Sequence, residues 1–463
     1  MEIVKRQKMK YLIKKKKQEE KMSESILITR NVPVRYTVDV CVTGAGPGGI
    51  AAAVVAARQG AKVLLLDAHT MPGGMSTAGR VPVLMPCSDG VNFLPDGFGR
   101  EVIERFTAVS NAYGFDNSGI FLNAEQLKRI YEDLLTGAGV ELLYYSRLAA
   151  VNVENGTIRQ TVYASQSGLF AVAAKVFIDG TGDGTVAAWA GAPFEMTPLD
   201  EIMPATLCSL WAGFDWQAYR AGGAFSHNDD KMPELLAAAF KDGSLSTEDH
   251  HHTGIFRNSN LAAGGNITHA FGVDGTDERS LTRGLVEGRR LLREYENFYR
   301  KNIPGFSDAE IVDSGSLLGV RESRRITGDY TLNNEDFKSR RDFADEIGRY
   351  NFPADIHPPR PTRAQVEEHK KLFRSTACGH GESYGIPYRI MLPCNVSNLL
   401  TCGRCVSTDR YVHASLRVIP GCWITGQAAG MAAAMAADSE RTPREINVQQ
   451  LRANLRKTGA FFH

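Results

Sequence analysis

The chain has 463 residues, a formal net charge of +1, 43% hydrophobic and 23% charged side chains, which is ordinary globular usage with room for two or three domains and a large core. The near-neutral balance argues against a broad basic face for nucleic acid, and no run of about 18 apolar residues offers a membrane span. Eight scattered cysteines, with no secretory signal before them, fit a reduced, cytoplasmic setting.

The first 21 residues, MEIVKRQKMKYLIKKKKQEEK, are dense in lysine and lack the 7–15 apolar residues of a signal-peptide core. They read as part of a disordered basic tail over residues 1–30, or as an over-extended start with Met22 as the natural beginning. The apolar run Val38–Val42 then suits a buried parallel strand. Gly44-Ala45-Gly46-Pro47-Gly48-Gly49 follows, with G-x-G-x-x-G at Gly44, Gly46 and Gly49. Ile50–Gln59 reads as a helix stopped by Gly60, and Lys62–Leu66 as a second strand ending on Asp67. Strand, glycine turn, helix, strand and acid, in that order, form a dinucleotide fingerprint. Gly44 permits the tight turn, Gly46 lets backbone approach a pyrophosphate, and Gly49 lets helix pack on strand. The free N–H groups and positive end of the helix face phosphate. Asp67 stands where a carboxylate can accept ribose hydroxyls.

Further along, Phe121–Gly137 has helical periodicity and Val140–Tyr145 reads as a strand. Leu148–Val153, Thr157–Tyr163 and Leu169–Val176 read as a small antiparallel meander. Lys175–Gly184 is the next strand, ending in the glycine-rich Asp179–Gly184, and Val186–Ala192 begins a helix. From Pro193 the texture changes to tryptophans, polar loops and the His250-His251-His252 run. Gly284–Ile303 is an amphipathic helix, and Phe343–Arg374, with Pro353, Pro358, Pro359 and Pro361, reads as loop-rich. This middle region looks like an α+β substrate domain. Leu399–Cys402 is a short strand, and Pro420–Ala437 a helix of small residues.

With these segments placed, the chain resembles the FAD-dependent oxidoreductase family, glutathione-reductase-type flavoproteins related to fumarate-reductase-like enzymes. The matching stretches are GAGPGG at Gly44–Gly49, PGGMSTAG at Pro72–Gly79, FIDGTGDG at Phe177–Gly184, GVRESRRITGDY at Gly319–Tyr330, ADIH at Ala354–His357, IPYRIMLP at Ile386–Pro393, NLLTCGRCVS at Asn398–Ser407, HASLRV at His413–Val418 and GQAAG at Gly426–Gly430. The resemblance implies an α/β fold: a doubly wound, Rossmann-like FAD domain with an inserted β-meander, built from residues 36–195 and 396–445, around a substrate or cap domain at 196–395. It chooses FAD over NAD. It implies that Asp67, followed by Ala68, holds the adenosine ribose, that Gly73, Gly74 and Met75 pass near the pyrophosphate and ring, and that Leu148 backbone meets adenine. Thr181, Gly182 and Asp183 would flank the phosphates and ribityl chain, with Gly44, Ala45, Gly46, Pro47, Gly48 and Gly49 forming the phosphate turn. Gly403 and Arg404 would lie beside the cofactor, and Gly421 would begin the helix aimed at the flavin pyrimidine carbonyls, where a reduced flavin is negative. No second fingerprint and no CxxC after the first helix appear, which counts against a disulfide reductase.

For chemistry, His413 is the natural acid/base, and Arg417 or Arg404 can orient a substrate carboxylate or carbonyl; each has an alternative structural role. Arg321, Arg324 and Arg325 line an anion pocket or an inter-domain ion network, and helical spacing would put Arg321 and Arg325 on one face. Tyr388 and Arg389 face the same choice, and His357 and His380 rank below His413. Cys402 and Cys405 form a CxxC that reads as two incidental thiols, a redox pair or half a zinc site. Asp249 with His250–His252 reads as a solvated loop before a metal site, so no metal is expected. The expectation is hydride transfer between a small organic substrate and FAD, with an unidentified electron partner. An RNA-modifying flavoprotein and a non-catalytic binding protein are the alternatives.

Overall fold

In the computed structural model, which describes residues 26–109, 120–222 and 231–463, the fingerprint segment is strand, helix, strand as its pattern requires: β1 (Val34–Thr43), α1 (Pro47–Arg58) and β2 (Val63–Leu66). The lysine-rich stretch 1–21 lies outside the described residues. Every element below belongs to the unit Val34–His463.

β2 pairs in parallel with β3 (Glu141–Leu143) on one side and β1 on the other. The sheet continues through the antiparallel meander β4 (Arg147–Glu154), β5 (Thr157–Ser165) and β6 (Gly168–Asp179), giving the order β3-β2-β1-β6-β5-β4. β6 corrects the sequence reading. The third meander strand and the strand before the glycine-rich turn are one strand of 12 residues, because nothing between Ala171 and Lys175 breaks it. Its first half pairs with β5, its last residues pair with a strand from near the chain's other end, and β1 lies in parallel along its other edge.

The middle of the chain adds a separate antiparallel sheet from β7 (Ser209–Ala212), β8 (Gly254–Arg257), β9 (Ala263–Asn266) and β10 (Glu310–Ser314). α2 (Glu278–Asn302) buries Leu291, Leu292, Tyr295, Phe298 and Tyr299. It begins earlier than its apolar periodicity suggests, because the Asp277 side chain accepts from the Ser280 N–H and caps it. Trp211 and Phe306 pack with Tyr299 in an aromatic core.

The proline-rich stretch is more ordered than its composition indicated. Glu346–Tyr350 is a wholly buried strand paired with Tyr384–Pro387, and α3 (Arg363–Thr376) starts on a Thr362 cap. The chain then returns to the first sheet: β11 (Leu399–Thr401) lies parallel to β6, followed by α4 (Arg410–Leu416) and α5 (Ile419–Asp438). α5 crosses α1 at bare backbone. A Cβ on Gly426 would strike the Gly48 carbonyl, and one on Gly430 the Ala52 carbonyl. One apolar core accordingly holds Val40 and Ile50 together with Leu400, Ala428 and Phe462. No helix among the described residues is long and apolar enough to cross a membrane.

Candidate functional site

The turn between β1 and α1 packs on the turn after β6. Gly44 has φ +99°, and a Cβ there would lie 2.6 Å from the Gly180 carbonyl oxygen, so geometry and space both demand glycine. Gly46 is different. A Cβ on it would meet nothing closer than the Gly180 oxygen at 3.7 Å, so internal packing gives no reason for its bareness, and an approaching ligand does. α1 has Pro47 in its first turn and no side-chain cap, leaving its N–H groups for an anion.

Around this turn the structure gathers the other predicted cofactor residues. The Gly73 N–H donates to the Ala45 carbonyl at 2.8 Å, and a Cβ on Gly74 would lie 3.2 Å from Gly46 Cα, so Gly73, Gly74 and Met75 run alongside the fingerprint. Asp67 directly follows β2 and precedes Ala68; its carboxylate accepts from the Ala45 N–H at 2.6 Å and the His69 N–H at 2.7 Å. Burial pushes that carboxyl up, but the hydrogen bonds from His69 and Ala45 outweigh it and hold its pKa below the ordinary value. The Ser146 N–H donates to the Asp67 carbonyl, which brings the start of β4, with Leu148 opposite Tyr163, beside this corner.

The far end of the chain closes the cradle. A Cβ on Gly48 would meet Cys402 Sγ and Gly403 N at 3.2 Å and the Cys422 carbonyl at 3.3 Å. The Gly403 N–H donates to Thr425 Oγ1 at 2.9 Å. Gly421, in the first turn of α5, backs onto the Leu416 carbonyl. Thr181 Oγ1 donates to Asp179 at 2.6 Å. A Cβ on Gly182 would sit 3.0 Å from Arg404 Nη2, and Asp183 accepts from Arg404 at 2.6 Å and Ser323 at 2.7 Å. A glycine left bare beside an uncapped helix start, in a rim shared by both chain ends, fits a dinucleotide.

The chemical candidates lie next to this rim. Arg417, the residue after α4, is part-buried; its Nη2 donates to Asp355 Oδ2 at 3.0 Å, and its Nε has no partner. Burial lowers its pKa, with the Asp355 charge opposing. Asp355 also accepts from His357 Nε2 at 3.0 Å and faces His369 Nε2 at 3.7 Å. Burial raises the Asp355 carboxyl, yet His357 and Arg417 hold it well below the carboxylate range. His413 is buried in α4 with no well-formed hydrogen bond at either ring nitrogen. Burial, then Arg417, Arg325 and Arg404, hold its pKa well below the usual value, the Arg404 backbone offsetting this only in part. Arg404 is already committed, to Asp183 and to the Val320 carbonyl at 2.8 Å.

Sequence reasoning did not gather the groups beyond Asp355. His269 Nδ1 pairs with Asp249 Oδ2 at 2.7 Å. Arg321 donates to the Pro204 carbonyl at 2.6 Å and Thr206 at 2.7 Å, and its Nη2 lies 3.4 Å from His269 Nε2. Desolvation, then Arg417, lowers Arg321 to about 10. The His251 ring stands 4.5 Å from that of His357, 5.0 Å from His369 and 5.4 Å from His269, centroid to centroid. ADIH and the histidine run were the visible signals for this chamber, but nothing in the linear pattern joined them.

One expectation is corrected, and several open choices are narrowed. Gly319–Arg324 is not helical, so Arg321 and Arg325 share no helix face; Arg325 turns to Thr197 and Glu195. Tyr388 donates to the Pro443 carbonyl, and Arg389 pairs with Asp345, both bracing the fold. His380 is exposed against Gly90. Cys402 and Cys405 are buried free thiols whose pKa values burial pushes well up, opposite to a reactive thiolate.

A family model described as FAD dependent oxidoreductase matches residues 39–455. The digeranylgeranylglycerophospholipid reductase of Methanocella arvoryzae is 29% identical over 169 residues, 33% of this chain and 41% of its own, so the match spans under half of that relative's length. Among solved structures, a geranylgeranyl bacteriochlorophyll reductase-like protein from Thermoplasma acidophilum is similar at 14% identity and TM-score 0.44, over 92% of this chain and 84% of that one. The OxyS anhydrotetracycline hydroxylase from Streptomyces rimosus is similar at 13% identity and TM-score 0.42, over 91% and 66%.

Proposed function

The chain belongs to the FAD-dependent oxidoreductase family, and from that premise we propose that it passes a hydride between a carbon atom of a small organic substrate and the flavin. FAD, when bound, supplies the two-electron acceptor or donor. The observation that carries the reading is the part-buried Arg417–Asp355 pair, placed immediately before the N-terminal end of α5. Arg417 presents a guanidinium edge to a substrate carboxylate or carbonyl, and Asp355 fixes its direction. His413, one helical turn before Arg417, is held neutral, so in this reading it can take up a proton but carries no cationic proton to give. Arg404 braces Asp183 and the Gly182 turn instead of handling a proton.

In this reading the cofactor-holding residues are Gly44–Gly49, Asp67, Gly73–Met75, Thr181–Asp183, Gly403 and Gly421. The FAD-binding part is 36–195 with 396–445, residues 196–395 shape the substrate pocket, and the protein works in the cytoplasm. The test is anaerobic. Bound flavin is mixed with hydroxy acids, sugars, steroids and enoates, in oxidised and in reduced form, and its visible absorbance is followed. One class should bleach the oxidised form or restore the reduced form. A flavin that dithionite reduces but no member of the panel affects in either direction counts against the proposal.

A further inference from the structure

We infer that His251, His269 and His357 form a binding site for a divalent metal ion of the zinc class, three imidazoles with one coordination position open. One nitrogen from each lies within 4.8 Å of the other two. Bonds of about 2.1 Å to a central ion would draw such nitrogens to roughly 3.4 Å apart, a closure within the reach of side-chain rotation.

The hydrogen bonding of the three rings gives the second argument. His269 has its Nδ1 on Asp249 and its Nε2 3.4 Å from Arg321 Nη2, a contact that a bound ion displaces. His357 has its Nε2 on Asp355, and its Nδ1 is buried without a partner. His251 Nδ1 is likewise buried without a partner. Buried imidazole nitrogens left unpaired are costly, and two at one place need an explanation. A carboxylate holding the rear nitrogen of a histidine is the outer-shell arrangement that orients metal-binding imidazoles, and it occurs here twice. An all-nitrogen set selects zinc, cobalt, nickel or copper over calcium or magnesium. Arg321 and Arg417 bring two positive charges to the surroundings, and Asp249 and Asp355 offset them. A cavity of about 440 Å³ opens among Thr247, Glu248, Phe271, Pro359 and Arg360, which are chain neighbours of these ligands. The inference does not depend on the hydride chemistry proposed above.

The test uses the full chain with its flavin, stripped by chelator, dialysed against zinc chloride and assayed for metal by elemental analysis. One zinc per chain is expected. His251→Gln and His357→Gln should each lower retention at least tenfold. Asp249→Asn should weaken affinity by about 10–100-fold, because the carboxylate charge behind the His269 ring is lost. His250→Gln, one residue from the site, should change nothing. X-ray absorption should show a nitrogen shell near 2.0–2.1 Å with imidazole scattering. Unchanged flavin content shows that a variant is folded, and if His357→Gln fails that check, His251→Gln decides. No retained zinc in the wild-type protein, retention indifferent to folded His251→Gln, or a sulfur shell from the cysteines overturns the inference.

Discussion

Arg417 was readable as a candidate from its place before the last long helix; its commitment to Asp355 was not. The pair makes a definite prediction. Arg417→Lys keeps the charge but loses the planar fork, so kcat/KM should fall about 10–100-fold, the effect of losing a charge-assisted hydrogen bond of roughly 1.5–3 kcal/mol. Flavin content should stay at one per chain; flavin lost in proportion to activity would make Arg417 a cofactor ligand instead. Acid sensitivity follows from the neutral histidines. His357 and His413 have folded pKa values well below their unfolded values, near 6.5. Their contribution to stability is therefore complete above about pH 6.5 and is lost as pH falls toward the folded values. Each adds a slope of up to about 1.4 kcal/mol per pH unit. Urea midpoints at pH 7.5, 6.5 and 5.5 should be level across the first interval and drop across the second. Level midpoints throughout would mean that these rings protonate freely in the folded protein.

Among the elements, those the sequence disclosed are the ones whose pattern is local. The first strand, glycine turn and helix announce themselves because each residue type there answers a backbone demand within a few positions. Glu346–Tyr350 did not, because the strand is buried with a charge pair inside it, Glu346 to Arg349 at 3.0 Å, and EIGRY shows no apolar alternation. α3 was hidden by the prolines before it, although Pro361-Thr362 followed by Gln365 is a start signal that the Thr362 side chain uses on the Gln365 N–H. The crossing of α1 and α5 backs the fingerprint turn, and its glycines were legible while their contact was not. Gly430→Leu places a branched side chain against the Ala52 carbonyl. Overpacking there should cost about 1–3 kcal/mol and weaken FAD binding, because the helix spreads from the turn it backs. Gly137→Leu, at a helix position where an added Cβ meets nothing, is the control. Equal FAD dissociation constants for the two variants would show that the crossing does not shape the cradle.

At the scale of the whole molecule, the dinucleotide cradle could be assembled from sequence because motifs from both chain ends pointed to one ligand. The histidine chamber could not, because His251, His269 and His357 come from three loops that only the tertiary fold brings within reach of Asp249 and Asp355. The same long-range construction constrains unfolding. β6 joins the meander, β1 and the returning β11 in one sheet, and the first apolar core needs residues from Val40 to Phe462. The N-terminal fingerprint region therefore lacks the partner surface of α1 when cut from the C-terminal segment. A fragment of residues 34–195 should retain no flavin and melt without a cooperative transition. In the intact protein, flavin fluorescence release and loss of far-ultraviolet ellipticity should coincide in one thermal step. Free FAD at a hundred times its dissociation constant should stabilise that step by about 2.7 kcal/mol. Flavin leaving well before the ellipticity falls, or a fragment that keeps flavin at full occupancy, would show that the cradle stands without its C-terminal half.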